Sequence, residues 1–255
     1  MMIKFFRHIR KSLLMENKKS KPALSAGRYF KYAIGEIVLV VIGILIALQI
    51  NNWNENRKNQ IQINKALKAL RYDLVKDSTL ISKHFDFSEN EDNNIKKILY
   101  RVQHKSSTVD TLVKIARYQF KYSWVTPLKY SNSTLATIQS SELFGNLSDS
   151  LRLGITDLQN TQVYYMNVLE KNNISYLSKL NNFKENFAIS IEGDSLNSLA
   201  AALSWNNINT KDFVVKFDDL VEWRYQLWLQ YSYMLSRSKL RTDNLIRLVD
   251  KNISE

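Results

Sequence analysis

The side chains able to do chemistry are few, and their types and spacing decide what they can do. Three carboxylates, Glu89, Glu91 and Asp92, fall together in "FSENEDNN". Oxygen donors so grouped suit a loosely held divalent cation. The glycine and closing glutamate of an EF-hand loop are missing, however, and a solvated helix face is the better reading. His8, His84 and His104 show no metal-ligand spacing with one another or with acidic pairs. The sequence has no phosphate-cradling glycine loop, nucleophile elbow or HExxH motif. It also has no cysteine, which excludes disulfides and thiolate metal sites. The expectation is a protein that is not an enzyme and that uses no cofactor and no metal.

Two charged residues sit in apolar surroundings. Glu36 opens the run "AIGEIVLVVIGILIALQINNW", Ala33 to Trp53. One reading is a carboxylate that snorkels to lipid headgroups beside Lys31 or Arg28 near a helix N-terminus. The other is an intramembrane acid that carries protons or binds a partner helix. Arg224 lies between Leu220 and Trp228 in an aromatic stripe and is the candidate inward-facing polar group. A packed stem with its head reaching water, or a carboxylate such as Asp218 or Asp219, would account for it equally.

The apolar run must be positioned by a membrane. Eighteen to twenty-one helical residues cover about 27–31 Å, enough for a hydrocarbon core of roughly 30 Å. Tyr29, Phe30 and Tyr32 precede the run and Trp53 follows it, which puts aromatic rings at both interfaces. Thirty-two residues precede it and no small-x-small site follows, so an uncleaved span is expected in place of a signal peptide. Glu36, Val40, Gly43 and Ala47 share one helix face. Gly43 and Ala47 form a small-xxx-small pair on it that lets a second helix, including one from another copy, approach closely.

The net charge is +12, and its distribution argues against nucleic acid as a partner. Residues 1–32 hold nine Lys/Arg against Glu16 alone, whereas residues 54–255 carry an excess of only +5. In "MIKFFRHIRKSLL", Phe5, Phe6, Ile9 and Leu13 recur at helical spacing, interleaved with Lys4, Arg7, Arg10 and Lys11. That pattern is an amphipathic arm for an anionic membrane surface. The Lys/Arg counts close to each end of the run tie at five. The basic arm breaks the tie in favour of a cytoplasmic N-terminus.

The motif "YAIGEIVLVVIGILIALQINNWNE", with "MIKFFRHIRKSLL" before it, resembles an uncharacterised family of single-span membrane proteins from Bacteroidota, catalogued as a domain of unknown function. The likeness is close over about residues 2–58. It extends less closely to "SSELFGNLSDSLRLGITDLQNTQVYY". It implies an inner-membrane protein with a helical remainder, and it brings no activity or functional residue with it.

The remainder reads as helical. There are 6 glycines and 2 prolines in the whole chain, none of either between Gly43 and Pro127, so nothing obvious stops the helix after Trp53. Ile63, Leu67, Leu70, Leu74 and Ile81 form a stripe spoiled at Asp77, the mark of a bundle face or a coiled-coil seam. A helix capped by Asp149 is predicted to run to about Phe187, and another from about Asp212 to Val249, the latter with the widest apolar arc. Shorter helices fit Thr111–Tyr122 and Ser195–Ser204, with breaks at "WVTPLKYSNS" and "SIEGDS".

The expected fold is therefore all-α, one N-terminal transmembrane helix continuing into a soluble antiparallel helical bundle. The organisation is a basic cytoplasmic arm over 1–32, a transmembrane helix over 33–53 and an extracytoplasmic helical domain over 54–255. The expected role is binding, scaffolding or envelope organisation at the inner membrane, with the lipid bilayer, a second copy and an unidentified membrane or periplasmic protein as partners. A stator-like subunit of an ion-driven complex using Glu36, and an extracytoplasmic sensor acting through a partner, are the alternatives.

Overall fold

The structure, a computed structural model, describes residues 26–187, 189, 199–206 and 208–253. The amphipathic arm with Lys4, Arg7, Arg10 and Lys11, the "SIEGDS" break and the side chains of Arg28 and Lys31 lie outside the described residues. Among those described, six α-helices and one 3-10 turn account for the secondary structure, and there is no strand. The fold is all-α.

The helices are α1 (Ala26–Gln103), α2 (Val109–Tyr118), α3 (Ser133–Ser140), α4 (Asp149–Asn186), α5 (Leu199–Asn206) and α6 (Thr210–Asn252). A 3-10 turn over Glu142–Asn146 precedes α4. The glycine- and proline-free stretch after Trp53 does what its composition allows, and α1 runs unbroken for 78 residues. Its end is set by "HKSST", where Thr108 caps α2 by accepting from the Thr111 N–H at 3.3 Å. Asn209 caps α6 in the same way, accepting from the Asp212 N–H at 3.2 Å. The expected cap of α4 moves by one residue: Ser148 is its N-cap, and Asp149 sits in the first turn, paired with Arg152. There it complements the helix dipole instead of closing the helix end.

The chain divides into two units at Asn59/Gln60. In the first, α1 carries the apolar run, and every residue from Ala33 to Ile50 is exposed. It is the single helical stretch among the described residues long and apolar enough to cross a membrane. A Cβ added at Gly43 would meet nothing, so that side of the helix is open. Past the run, Asn51 donates to Glu55 at 3.0 Å and the Arg57 guanidinium lies 6.0 Å from the Trp53 ring.

In the second unit, three long elements pack side by side. Contacts of α4 with α6 pair Asp157 with Arg241, Asn172 with Gln230, and Phe183 with Phe213, so the two run antiparallel. Contacts of α1 with α6 pair Arg71 with Asp250, His84 with Tyr231, and Gln103 with Asp218, also antiparallel. Hence α1 and α4 point the same way, as the crossing connection 104–148 permits. At Gly154 a Cβ would lie 3.1 Å from the Leu245 side chain and 3.2 Å from that of Leu248, so a larger residue there would make those two leucines shift.

Two cores result. One is aliphatic in its buried members, with Ile63, Leu67, Leu70 and Leu74 of α1 against Ile155 of α4 and Leu245 of α6. The other is aromatic: Phe183 stands within 6.2 Å, centroid to centroid, of Tyr122, Phe187, Phe213 and Phe217. Offset and edge contacts of this kind add to area burial. The wide apolar arc expected of α6 buries Phe217, Leu220, Leu227, Trp228, Tyr231 and Leu235.

Candidate functional site

The buried charged groups of the second unit, Asp77, Glu91 and Arg224, converge on one element, the non-helical strap over 119–132 that the "WVTPLKYSNS" break predicts in part. Pro127 and the residues around it keep it extended. Phe120, Tyr122, Val125 and Leu128 are buried, while Lys121, Ser123, Trp124 and Thr126 face solvent. An extended chain among helices leaves backbone groups without ladder partners, and side chains must supply them. Asn173 of α4 does so at Val125, accepting from its N–H at 3.2 Å and donating to its carbonyl at 2.8 Å. Asp77 of α1 accepts from the Ser131 N–H with both oxygens, at 3.0 and 3.1 Å.

Between these anchors lies an ion pair. One terminal nitrogen of Arg224 donates to Glu91 Oε2 at 3.1 Å and to Ser123 Oγ at 3.1 Å. Lys121 of the strap reaches Glu91 Oε1 at 3.3 Å. The arginine and glutamate side chains are 3% and 9% exposed, and the guanidinium lies 5.0 Å from the Phe120 ring. Arg224 Nε and the hydroxyl of the fully buried Tyr176 have no hydrogen-bond partner among the described residues. Burial pulls the Arg224 pKa below its ordinary value, against the opposing pull of Tyr176 and Glu91. Burial also pushes the Tyr176 phenol up to about 12. Burial raises Asp77 above the usual carboxylate value, the Ser131 bonds working against it.

This constellation is a clamp. Both oxygens of Glu91 are occupied by cations, and a phenol so far above neutral pH is no nucleophile. What the groups do chemically is pin an extended segment to three helices. Two shallow depressions elsewhere are lined by α4 residues such as Ile174 and Asn181, and by Val102, Val214, Asp218 and Glu222. Neither is lined by Glu91 or Arg224. Among the described residues, no group of three or more His, Asp or Glu is arranged around a common metal position.

The site residues read from the sequence belong to different units. Glu36, Val40, Gly43 and Ala47 are exposed on the first unit. Arg224 is buried, and its partner is neither Asp218 nor Asp219: those take Gln103 and Lys179, and Arg224 takes Glu91. "FSENEDNN" is a solvated face only in part: Glu89 is exposed, whereas Ser88 and Glu91 are buried. Asp77 does not spoil its stripe but continues it inward as a buried acceptor. Asp77, Glu91 and Asn173 are what sequence reasoning missed. The signal for the first two was present: the alternation of four- and three-residue steps from Ile63 passes through Asp77, His84, Ser88, Glu91 and Ile95 to Val102.

Residues 36–223 match the model of a Family of unknown function (DUF6090). The chain belongs to this family. The match starts at Glu36 inside the apolar run and stops at Trp223, so it spans α1 to the first part of α6 and takes in Asp77, Glu91 and Asn173. The resemblance drawn from the N-terminal motif holds at that level, an uncharacterised family. No curated protein and no solved structure matches the chain.

Proposed function

We propose that the chain is anchored in the bacterial inner membrane by residues 33–53, with residues 1–32 in the cytoplasm and residues 54–255 in the periplasm. Its helical domain acts there as a non-enzymatic binding or scaffolding element, in contact with lipid and with a membrane or periplasmic protein. The observation that carries this is the exposure of the apolar run. Twelve large aliphatic side chains from Ile34 to Ile50 are 42–62% exposed. Left in water they would cost on the order of 10–20 kcal/mol, as much as the whole stability of a domain. A bilayer removes that cost. Tyr29 and Phe30 before the run, and Trp53 with Arg57 after it, are the groups that favour its two interfaces. The clamp supports a structural role for the domain, since its buried charges are spent on holding the strap.

Ultracentrifugation of lysate without detergent tests the anchor: the full-length chain is expected in the membrane pellet, and recovery in the supernatant overturns the reading. A carboxyl-terminal alkaline phosphatase fusion tests the orientation and is expected to be active. Activity of a cytosol-only reporter instead would invert it.

A further inference from the structure

The outward face of α4 carries an apolar stripe with little charge on it. Leu153, Val163, Tyr164 and Ile174 are 71%, 54%, 63% and 60% exposed. At 100° per residue they fall within one arc of about 100°, on a stripe roughly 32 Å long. The positions between them on that arc, Thr156, Asn160 and Asn167, are exposed and uncharged, and Lys171 is the one charge among these eight. The solvent side of α1 in the same unit also exposes apolar residues, Tyr72, Phe87 and Tyr100 among them, but sets them among Lys65, Lys68, Lys76, Lys83 and Lys96.

We propose that this stripe is where a second copy of the chain docks, α4 against α4, along Leu153, Val163, Tyr164 and Ile174. A two-fold contact lays a face upon itself, so any charge near the axis meets its own like. A stripe of aliphatic, aromatic and amide groups with one charge, Lys171 towards its C-terminal end, comes close to that requirement. Residues 54–255 carry an excess of positive charge, so lysine-rich faces repel their counterparts in a second copy. A strongly acidic or basic partner would call for complementary charge on the stripe, and there is a single lysine. The four apolar side chains expose on the order of 500 Å², and their uncharged neighbours bring the stripe towards the roughly 800 Å² per partner of a standard interface. Anchoring in one plane raises the effective concentration of copies. In that last respect alone, the proposal rests on the membrane reading.

The chain has no cysteine, so a single introduced thiol reports one position. Val163→Cys, Asn167→Cys and Ile174→Cys, each in the full-length chain in native membranes, are expected to give a disulfide-linked species of twice the chain mass on mild oxidation. Lys83→Cys and Lys96→Cys are expected to give little. Adding Asn160→Asp to Ile174→Cys should cut the yield about tenfold, because the interface would then bury two like charges, with an unchanged thermal midpoint. Equal yields from all positions would mean random collision and overturn the proposal. So would absent α4 cross-links with thiols that a maleimide still labels, or cross-links to a species of another mass. A chain found in the supernatant sinks the anchor and not the stripe, whose cross-links are then read on the soluble chain at raised concentration.

Discussion

Helix α1 carries isoleucine, leucine and valine on both sides of Asn59, with opposite fates. From Ile34 to Ile50 they surround the helix and all are exposed. From Ile63 to Val102 most of them keep to one side and are wholly or partly buried, with Val75 the exposed exception. The residue types are the same, and arrangement separates them. Apolar residues on every side of a helix call for an apolar solvent, while a stripe calls for a partner helix. The second half also admits Asp77, Ser88 and Glu91 onto its buried stripe, where helix and strap partners satisfy them. Glu36 in the first half is exposed.

The largest way to break this comparison is at the buried charge. Arg224→Ala should destabilise the domain by about 3–5 kcal/mol, because Glu91 would remain buried with only Lys121 for company. Chemical denaturation of the detergent-solubilised chain measures it. Glu91→Met combined with Arg224→Met should recover most of that loss, and a double variant no better than the single one would mean that the pair holds the strap in a way apolar packing cannot. Next, Leu70→Ala should cost about 2–5 kcal/mol by leaving a cavity in the aliphatic core, whereas Leu45→Ala should leave the unfolding midpoint unchanged. Equal effects would erase the distinction between the two halves. Ile42→Lys reverses the pattern: it should weaken membrane insertion by about 2.5–3.5 kcal/mol, read as chain lost from the pellet, with the domain's melting unchanged.

Two smaller effects sharpen it. Arg71→Ala removes an exposed pair with Asp250 and should cost under about 1 kcal/mol. His84 donates to or accepts from the Tyr231 hydroxyl at 3.0 Å, and burial lowers its pKa below the ordinary 6.5. The unfolded chain therefore binds more protons than the folded one below that pH. His84 leaves stability intact above about pH 6.5 and erodes it as the pH falls towards and through the lowered folded value. His84→Gln should flatten that part of the stability profile, and an unchanged slope would put the dependence elsewhere.

Much of the fold was legible residue by residue. The predicted helix from Asp149 to about Phe187 is found as α4, Asp149–Asn186, and the one from Asp212 to Val249 lies within α6. Their four- and three-residue rhythm is a local property that burial simply reads out. The rhythm of α1 was equally regular past Ile81, but charged residues at Asp77 and Glu91 look like interruptions when composition alone is weighed. Asn173 gave no such signal, since an amide on a helix flank means nothing until an extended segment lies beside it.

Periodicity, length and the lack of glycine and proline fixed what could be decided within a few turns of helix: an all-α chain, an apolar run long enough to cross a membrane and faces that must be covered. Tertiary structure decided which face met which. That Glu91 takes Arg224, 133 residues away, and that Asn173 holds both backbone groups of Val125, follow from the crossing connection that lays α1 and α4 parallel and both against α6. A buried polar group is stable only beside its complement, and no local pattern says where in the chain that complement lies.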